Sequence, residues 1–346
     1  MPRTRATQTD IARRAGVSQA MVSYVVNGNT RVSIPDETRR RIEAVMQELG
    51  YVPNALARGL RSGQTRTIGL VVPDNTNPFF AEIARHIENL GFEKGFSVIL
   101  CNSDYDLVKE NAHVDVLLAK QVDGVIFCAS GGATEARDKL RASKTPVVTI
   151  DHDISNLRNE TVVIDYRLGG YLATRHLLDQ GHRRVGCITG PRTLSSSTER
   201  LAGYQDALAE AGLKVDTGLI VPGDFRIQGG EAAALRLLNG RRKPSAIFAF
   251  NDLMAIGAIQ SARILELKVP ADVSVIGFDD IPLAQAIHPA LTTIAQPISE
   301  IARLAMEVFL KQTQAGGTGT ATPTAVPSLV LKPTLIVRSS TAPIAR

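Results

Sequence analysis

Residues 8–27 read QTDIARRAGVSQAMVSYVVN, and this stretch decides how the N-terminus folds. Ala12, Gly16, Val22 and Val25 stand where a helix-turn-helix needs a small residue, a turn glycine and two apolar residues. Ala12 lets two helices approach, and Gly16 permits the positive φ of a tight inter-helix turn. Val22 and Val25 are three apart and face inward on the second helix. Ser18 is placed to cap that helix by accepting from an orphan backbone N–H. Gln19, Ala20, Ser23, Tyr24 and Asn27 then point outward, available to nucleic acid. The same spacing also suits an ordinary αα-hairpin, so a second observation has to separate the two.

Charge supplies it. Residues 1–66 hold eleven arginines, five acidic residues and no lysine, a net of +6. The remainder carries 28 basic and 29 acidic side chains, so the whole formal +5 originates in the first fifth of the chain. A hairpin has no use for such segregation, whereas a phosphate-binding headpiece does.

Further along, Ile42, Val45, Met46 and Leu49 recur at helical spacing between Pro35 and Gly50, which predicts a third helix. Asp36 and Glu37 favour its positive end, and Gly50 is a natural terminator. Arg39, Arg40 and Arg41 lie largely opposite the apolar stripe, open either to solvent or to phosphate. The segment YVPNALARGLRSG, Tyr51 to Gly63, is too short for a helix stable alone in water and reads as a hinge that folds only against a partner.

From Thr67 onward, apolar runs alternate with helical stripes. The runs are IGLVVPD, SVILCNS, GVIFCAS, VVTIDHD, VGCITGP, AIFAFND and SVIGFDD. Such alternation predicts parallel sheets covered by helices. The pattern pauses near Val163 and begins again, which gives two similar α/β lobes. Polar residues collect at the strand ends: Asp74, Asn102, Asp151, Gly190, Asn251-Asp252 and Asp279-Asp280. Each alone suits a cap or turn; together they point to a cleft beyond the carboxyl ends of the strands. Residues 314–327, rich in Gly, Thr, Ala and Pro, read as a surface loop, followed by a last strand at Leu335-Ile336-Val337.

No apolar run approaches a membrane span and no signal peptide is evident, so a cytoplasmic protein is expected. Cys101, Cys128 and Cys187 sit in apolar runs and read as buried free thiols. The six histidines form no metal-binding pair, and neither metal nor cofactor is expected. No nucleophile elbow, phosphate loop or dinucleotide fingerprint occurs, which argues against an enzyme. A solute-binding protein for transport would share such a body but needs an export signal and no headpiece.

Taken together these residues resemble the lactose-repressor (LacI/GalR) family of bacterial transcription regulators. The similarity runs the length of the chain through DIARRAGVSQAMVSYVVNG, YVPNALARGL, TIGLVVPDNTNPFF, FAFNDLMAIG, SVIGFDDI and LTTIAQP. Within the family NTNPFF, VILCNS, CITGP and GDF are most similar to ribose and purine repressors. The resemblance implies an α/β protein with an all-α helix-turn-helix headpiece (1–52), a hinge helix and linker (53–66) and a two-lobed body of parallel sheets like a periplasmic binding protein (67–346). Lobe 1 is expected at about 67–163 and 293–328, lobe 2 at about 164–292 and 329–346. It also implies a homodimer on pseudo-palindromic double-stranded operator DNA, controlled by a small molecule.

The implied DNA contacts are Thr7, Ser18, Gln19, Ala20, Ser23, Tyr24 and Asn27 of the headpiece and Ala57, Arg58 and Leu60 of the hinge. Gln19, Ala20 and Tyr24 are expected at base edges; Ser18, Ser23 and Asn27 suit phosphates. Tyr24 replaces the Arg or His common in relatives, so the base it reads stays open. Leu60 is expected as a minor-groove wedge, or else packs on its own domain.

A sugar effector needs planar groups that bond two hydroxyls at once and an aromatic wall. By resemblance Phe79, Phe80, Asp151, Arg200, Phe225, Asn251, Asp279 and Gln296 supply both. His152 stands where ribose binders usually carry Arg or Trp, and Arg192–Ser197 (RTLSSS) lacks the arginine a purine repressor uses. The balance favours a pentose or other small sugar over a purine. Whether the effector induces or co-represses stays open.

Overall fold

Thr7 opens the first helix with a reciprocal cap: its hydroxyl oxygen accepts from Asp10 N (3.3 Å), and the Asp10 carboxylate accepts from Thr7 N (3.0 Å). The computed structural model describes residues 6–28, 32–52, 63–128, 135–150, 161–314 and 329–344. It divides into two units, 1–65 and 66–346.

The first unit contains α1 (Gln8–Ala15), α2 (Gln19–Val26) and α3 (Asp36–Glu48). Gly16 ends α1 at φ 65°, the left-handed turn its position requires. The Ser18 oxygen accepts from Met21 N and starts α2. Ile11, Ala12, Ala15, Val22, Val25, Ile34, Ile42 and Val45 form the core. An Arg14–Glu48 ion pair (2.6 Å) adds a surface tie between α1 and α3.

The second unit holds two parallel sheets. The first has six strands in the order β11-β5-β4-β3-β1-β2: Leu329–Leu331, Thr161–Ile164, Val147–Ile150, Gly124–Cys128, Thr67–Val72 and Ser97–Asn102. Side chains alternate along β1, so Ile68, Leu70 and Val72 join one core and Val71 the other. Helices α4 (Pro78–Glu93) and α12 (Ile298–Gln314) cover one face; α5 (Leu107–Ala119) and α6 (Glu135–Ala142) cover the opposite face. Burial on both faces is why β1, β3 and β4 read as unbroken apolar runs.

The second sheet runs β7-β6-β8-β9: Ile220–Pro222, Val185–Thr189, Ala246–Ala249 and Ser274–Ile276. Its helices are α7 (Tyr166–Asp179), α8 (Ser195–Glu210), α9 (Ile227–Leu238) and α10 (Asp252–Ile264), followed by the short α11 (Pro282–Ala286). A two-stranded antiparallel ribbon, β10 (Thr293–Ala295) with β12 (Thr334–Ile336), completes it. The chain therefore crosses between lobes three times: after β5, after β10 and after β11.

Some details differ from the sequence reading. The pause near Val163 is strand β5. Residues 293–295, expected in the first lobe, lie against the second: Ala295 bridges to Asp279, and the preceding Thr292 bridges to Ile276. Residues 329–331, expected in the second, pair with β5 of the first. The crossings fall where backbone pairing changes partner, and a local apolar pattern does not encode that. The three cysteines are buried, and none forms a disulfide among the described residues.

Candidate functional site

Between the carboxyl ends of the two sheets lies a cleft of about 410 Å³ of empty space, part of it open to solvent. Phe79 and Phe80 enter it from the first turn of α4, their rings edge-to-face at 5.1 Å. Asn77 starts that helix by accepting from Phe79 N (3.0 Å), and Pro78 suits the first turn.

Arg200 enters from α8 and is 4% exposed. Its guanidinium carbon lies 4.0 Å from the Phe278 ring centroid, 4.5 Å from Tyr166 and 5.7 Å from Phe225. Three rings on a weakly hydrated cation replace much of the water it lost. One Nη stands 3.9 Å from Asp279 Oδ1, an ion pair at the limit of contact rather than a hydrogen bond. Helix α8 can bring Arg200 this deep because it rides against α7 on glycines. A Cβ at Gly203 would fall 2.0 Å from Arg167 O, and one at Gly170 2.2 Å from Arg200 O.

Asp279 sits at φ 115° and accepts from Gln296 Nε2 (2.6 Å). Behind it the fully buried Asp252 accepts from Ile281 N (2.9 Å) and from the Thr293 hydroxyl (2.5 Å). Asp252 thereby joins the 279–281 turn to β10, the strand that leads to Gln296. Burial pushes the Asp252 carboxyl well above its ordinary range, and the neighbouring Asp279 charge adds to it. Asn251 accepts from Met254 N (2.9 Å) and donates to Phe225 O (2.9 Å).

Three buried polar atoms at this site have no hydrogen-bond partner: Ser197 Oγ, Arg200 Nε and Gln296 Oε1. Arg200 lines the cleft, Ser197 precedes it on α8, and Gln296 is bonded to the lining Asp279. Buried groups in native proteins are nearly always satisfied, so these three atoms are available to water or to a polar ligand.

Six of the eight expected effector residues line this cleft: Phe79, Phe80, Arg200, Phe225, Asn251 and Asp279. Gln296 lies behind Asp279, and Asp151 falls outside the described residues. Asn251 differs from the expectation in part, since both ends of its amide are engaged in holding α10 and Phe225. The sequence reading missed Tyr105 and Tyr166, and also Ser196 and Leu194. Tyr105 follows the noted strand end Asn102 by one turn, a position that polarity at strand ends alone would have offered.

In the first unit, Ser18, Gln19, Ala20, Tyr24 and Asn27 are exposed, while Val22 and Val25 of the same helix are buried. Asn27 Nδ2 donates to Ser23 O (2.6 Å) and Oγ (3.1 Å), so these two act as one polar pair. Thr7 is exposed but held by its cap with Asp10. Ala57, Arg58 and Leu60 fall outside the described residues.

Comparison with known proteins decides the lineage. A family described as bacterial regulatory proteins, lacI family, matches residues 7–54, and one described as periplasmic binding protein-like domain matches 174–341. The regulator DegA of Bacillus subtilis (strain 168) is 40% identical over 343 residues, 98% of this chain and 99% of its own length. The chain belongs to the lacI family of bacterial regulatory proteins. The ribose operon repressor of Escherichia coli (strain K12) is likewise 40% identical, over 88% of this chain and 92% of its own. Among solved structures, the lac repressor dimer bound to operator and the anti-inducer ONPF superposes with a TM-score of 0.84 at 27% identity, covering 98% of this chain and 100% of that one. This lacI-family protein is thus a DNA-binding transcriptional regulator, and its relatives are repressors rather than enzymes. Among the described residues no helix is long and apolar enough to cross a membrane.

Proposed function

We propose that this lacI-family regulator is a homodimeric repressor whose grip on a pseudo-palindromic operator is set by a small sugar, of pentose class, held between the lobes of residues 67–346. Residues 1–52 are then the headpiece and 53–66 the hinge. The observation that carries the effector reading is Arg200, fixed among three rings and facing Asp279, with unsatisfied polar atoms around it. A cation and a carboxylate side by side suit vicinal hydroxyls, each of which both donates and accepts, and the rings suit the C–H face of a sugar. Within RTLSSS the cleft receives Leu194 and Ser196, whereas Arg192 is exposed, which favours a sugar over a purine. The kinship with the ribose operon repressor points the same way.

The recognition surface is the exposed Gln19, Ala20 and Tyr24 face of α2, with Thr7, Ser18, Ser23 and Asn27 toward phosphates, and Ala57, Arg58 and Leu60 completing the contact from the hinge. The dimer reading rests on kinship with the lac repressor dimer and on the open edge of β2, where Leu100 is exposed; Val108 and Val116 of α5 are exposed as well. The test is a thermal-shift screen of pentoses, hexoses, polyols and purines, followed by operator gel shifts with the stabilising compounds. Stabilisation by a pentose that also changes operator affinity is expected. A purine response with no response to any sugar would overturn the ligand class.

A further inference from the structure

The rim of the cleft carries an unusual residue. Asp104 and Tyr105 are successive non-glycine residues at φ 54° and 57°, in the left-handed region that bulky side chains avoid. The turn that holds them is tied from several sides. Ser103 N donates to Val72 O (3.0 Å), Tyr105 N to Pro73 O (3.1 Å) and Asp106 N to Ser103 O (2.8 Å). The Asp104 carboxylate accepts from Asn102 Nδ2 (2.6 Å) and pairs with Lys109 (2.5 Å). A conformation so over-determined, with tyrosine where glycine would be free of strain, points to a use for the side chain.

The ring shows what that use is. Tyr105 belongs to the first lobe and lies stacked against Phe225 of the second, centroids 6.3 Å apart and planes 29° apart. Phe225 is itself at φ 66°. Its carbonyl is held by Asn251, and its ring fits only because residue 190 is glycine: a Cβ there would stand 2.1 Å from Phe225 Cζ. The adjacent Arg226 reaches back across the cleft toward buried Asp74 (3.6 Å). Two strained backbones thus aim two rings at each other over one cavity, beside a cross-lobe ion pair.

We propose that Tyr105 is the size gate of the effector cleft: its ring, set against Phe225, closes the rim and restricts the occupant to a single sugar ring. This rests on the effector reading above and adds a specificity-determining residue to it. Tyr105 excludes by volume, and its aromatic face rather than its hydroxyl makes the gate.

The full-length chain is titrated calorimetrically with D-ribose and with the disaccharide cellobiose, as wild type, Tyr105→Gly and Tyr105→Phe. Glycine adopts the left-handed φ without strain, so the turn keeps its shape. Tyr105→Gly is expected to bind cellobiose about tenfold or more tightly than wild type does. Tyr105→Phe is expected to discriminate as wild type does. A glycine variant that rejects cellobiose as wild type does overturns the gate. A second measurement needs no ligand. The chain has no tryptophan, so Tyr105→Trp reports on this one position. Its emission is expected to be shielded from acrylamide and to become more quenchable and red-shifted when Phe225→Ala is added. Equal quenching with and without Phe225 overturns the gate. Failure of both sugars to bind any variant would instead overturn the sugar reading, and the fluorescence result would still decide the gate.

Discussion

Replacing Gly203 by alanine tests how Arg200 is carried into the cleft. In an ordinary helix interior Gly→Ala gains about 1 kcal/mol. Here the added Cβ would lie 2.0 Å from Arg167 O and 2.6 Å from Tyr171 N, both backbone atoms of α7. An ordinary contact is about 3.5 Å, so α8 would have to withdraw by roughly 1.5 Å. Overpacking costs about 1–3 kcal/mol and occasionally more. The upper end applies because a backbone has no rotamer to yield. Net of the helix-propensity gain, a loss of about 2 kcal/mol is expected, with the melting temperature several degrees lower. Arg200 lies three residues earlier on α8, on the side where the Gly170 contact shows the helices already touching. Ligand affinity should therefore fall with stability. Urea unfolding followed by circular dichroism, with calorimetric titration of the effector found in the screen, reads both. Gln205→Ala, exposed on the same helix, is the control and should stay within about 0.5 kcal/mol of wild type. If Gly203→Ala proved as stable as wild type, the tight α7–α8 approach would be refuted as the device that places Arg200.

Arg200→Met keeps a long side chain on the rings but removes the charge; the effector should bind about tenfold to hundredfold more weakly, as expected for a hydrogen bond to a charged group, and unchanged calorimetric affinity would remove Arg200 from the site. Asp252→Asn addresses pH. The folded carboxyl holds its proton above the ordinary value of 3.8, so the folded chain binds more protons than the unfolded one over that window. This contribution is therefore fully present below the ordinary carboxylate range and is lost as pH rises toward the raised folded value. Urea midpoints between pH 4 and 8 should fall less with rising pH for the Asp252→Asn variant than for wild type, and parallel curves would contradict the assignment. Tyr24→Ala should change base preference in operator gel shifts, with about 1–3 kcal/mol at stake per base contact, while leaving the salt dependence as it was. Thr7→Ala should cost the headpiece about 1 kcal/mol through its cap, seen as earlier melting, without altering which operator is preferred.

The headpiece was legible because everything that specifies it is local. The Ser18 cap, the Gly16 turn and the Val22/Val25 spacing lie within ten residues, and each reappears in the structure as a φ, a hydrogen bond or burial. The seven apolar runs became strands for the same reason: in six of them burial on both sheet faces leaves an unbroken signature, and the edge strand β2 keeps it with Leu100 exposed. Strands β7 and β11 left no comparable trace. Each has three residues, and β11 is fixed by pairing with β5, more than 160 residues earlier. The cleft divides likewise. Asp279 announces itself as polarity at a strand end, whereas Arg200 and Phe225 are reached through the family resemblance. Tyr166 is a cleft residue only because α7 packs it under the Arg200 guanidinium, and Tyr105 only because its turn takes a left-handed φ.

Strain and unsatisfied polarity fall in the same place in this molecule, and that has a consequence for control. Eight non-glycine residues among those described have positive φ; three of them (Tyr105, Phe225 and Asp279) line the cleft, and Asp104 and Asp280 adjoin two of these in the chain. Three of these are held by bonds from behind: Asp280 by Arg338 (2.6 Å), Phe225 by Asn251, Asp279 by Gln296. A hydrogen bond to Ser197 Oγ, Arg200 Nε or Gln296 Oε1, which have no protein partner, would be worth about 1–3 kcal/mol to a ligand. A ligand that meets even one of them recovers that energy only in the arrangement where these side chains converge with Phe79 and Phe80 of the opposite lobe. Its affinity for that arrangement then exceeds its affinity for an opened one by a similar amount, about 1–3 kcal/mol, which is the size of coupling that allosteric regulators use. On the effector reading proposed above, these polar groups are therefore one source of coupling: a ligand that meets them together with Phe79 and Phe80 gains more in the converged lobe geometry than in an opened one.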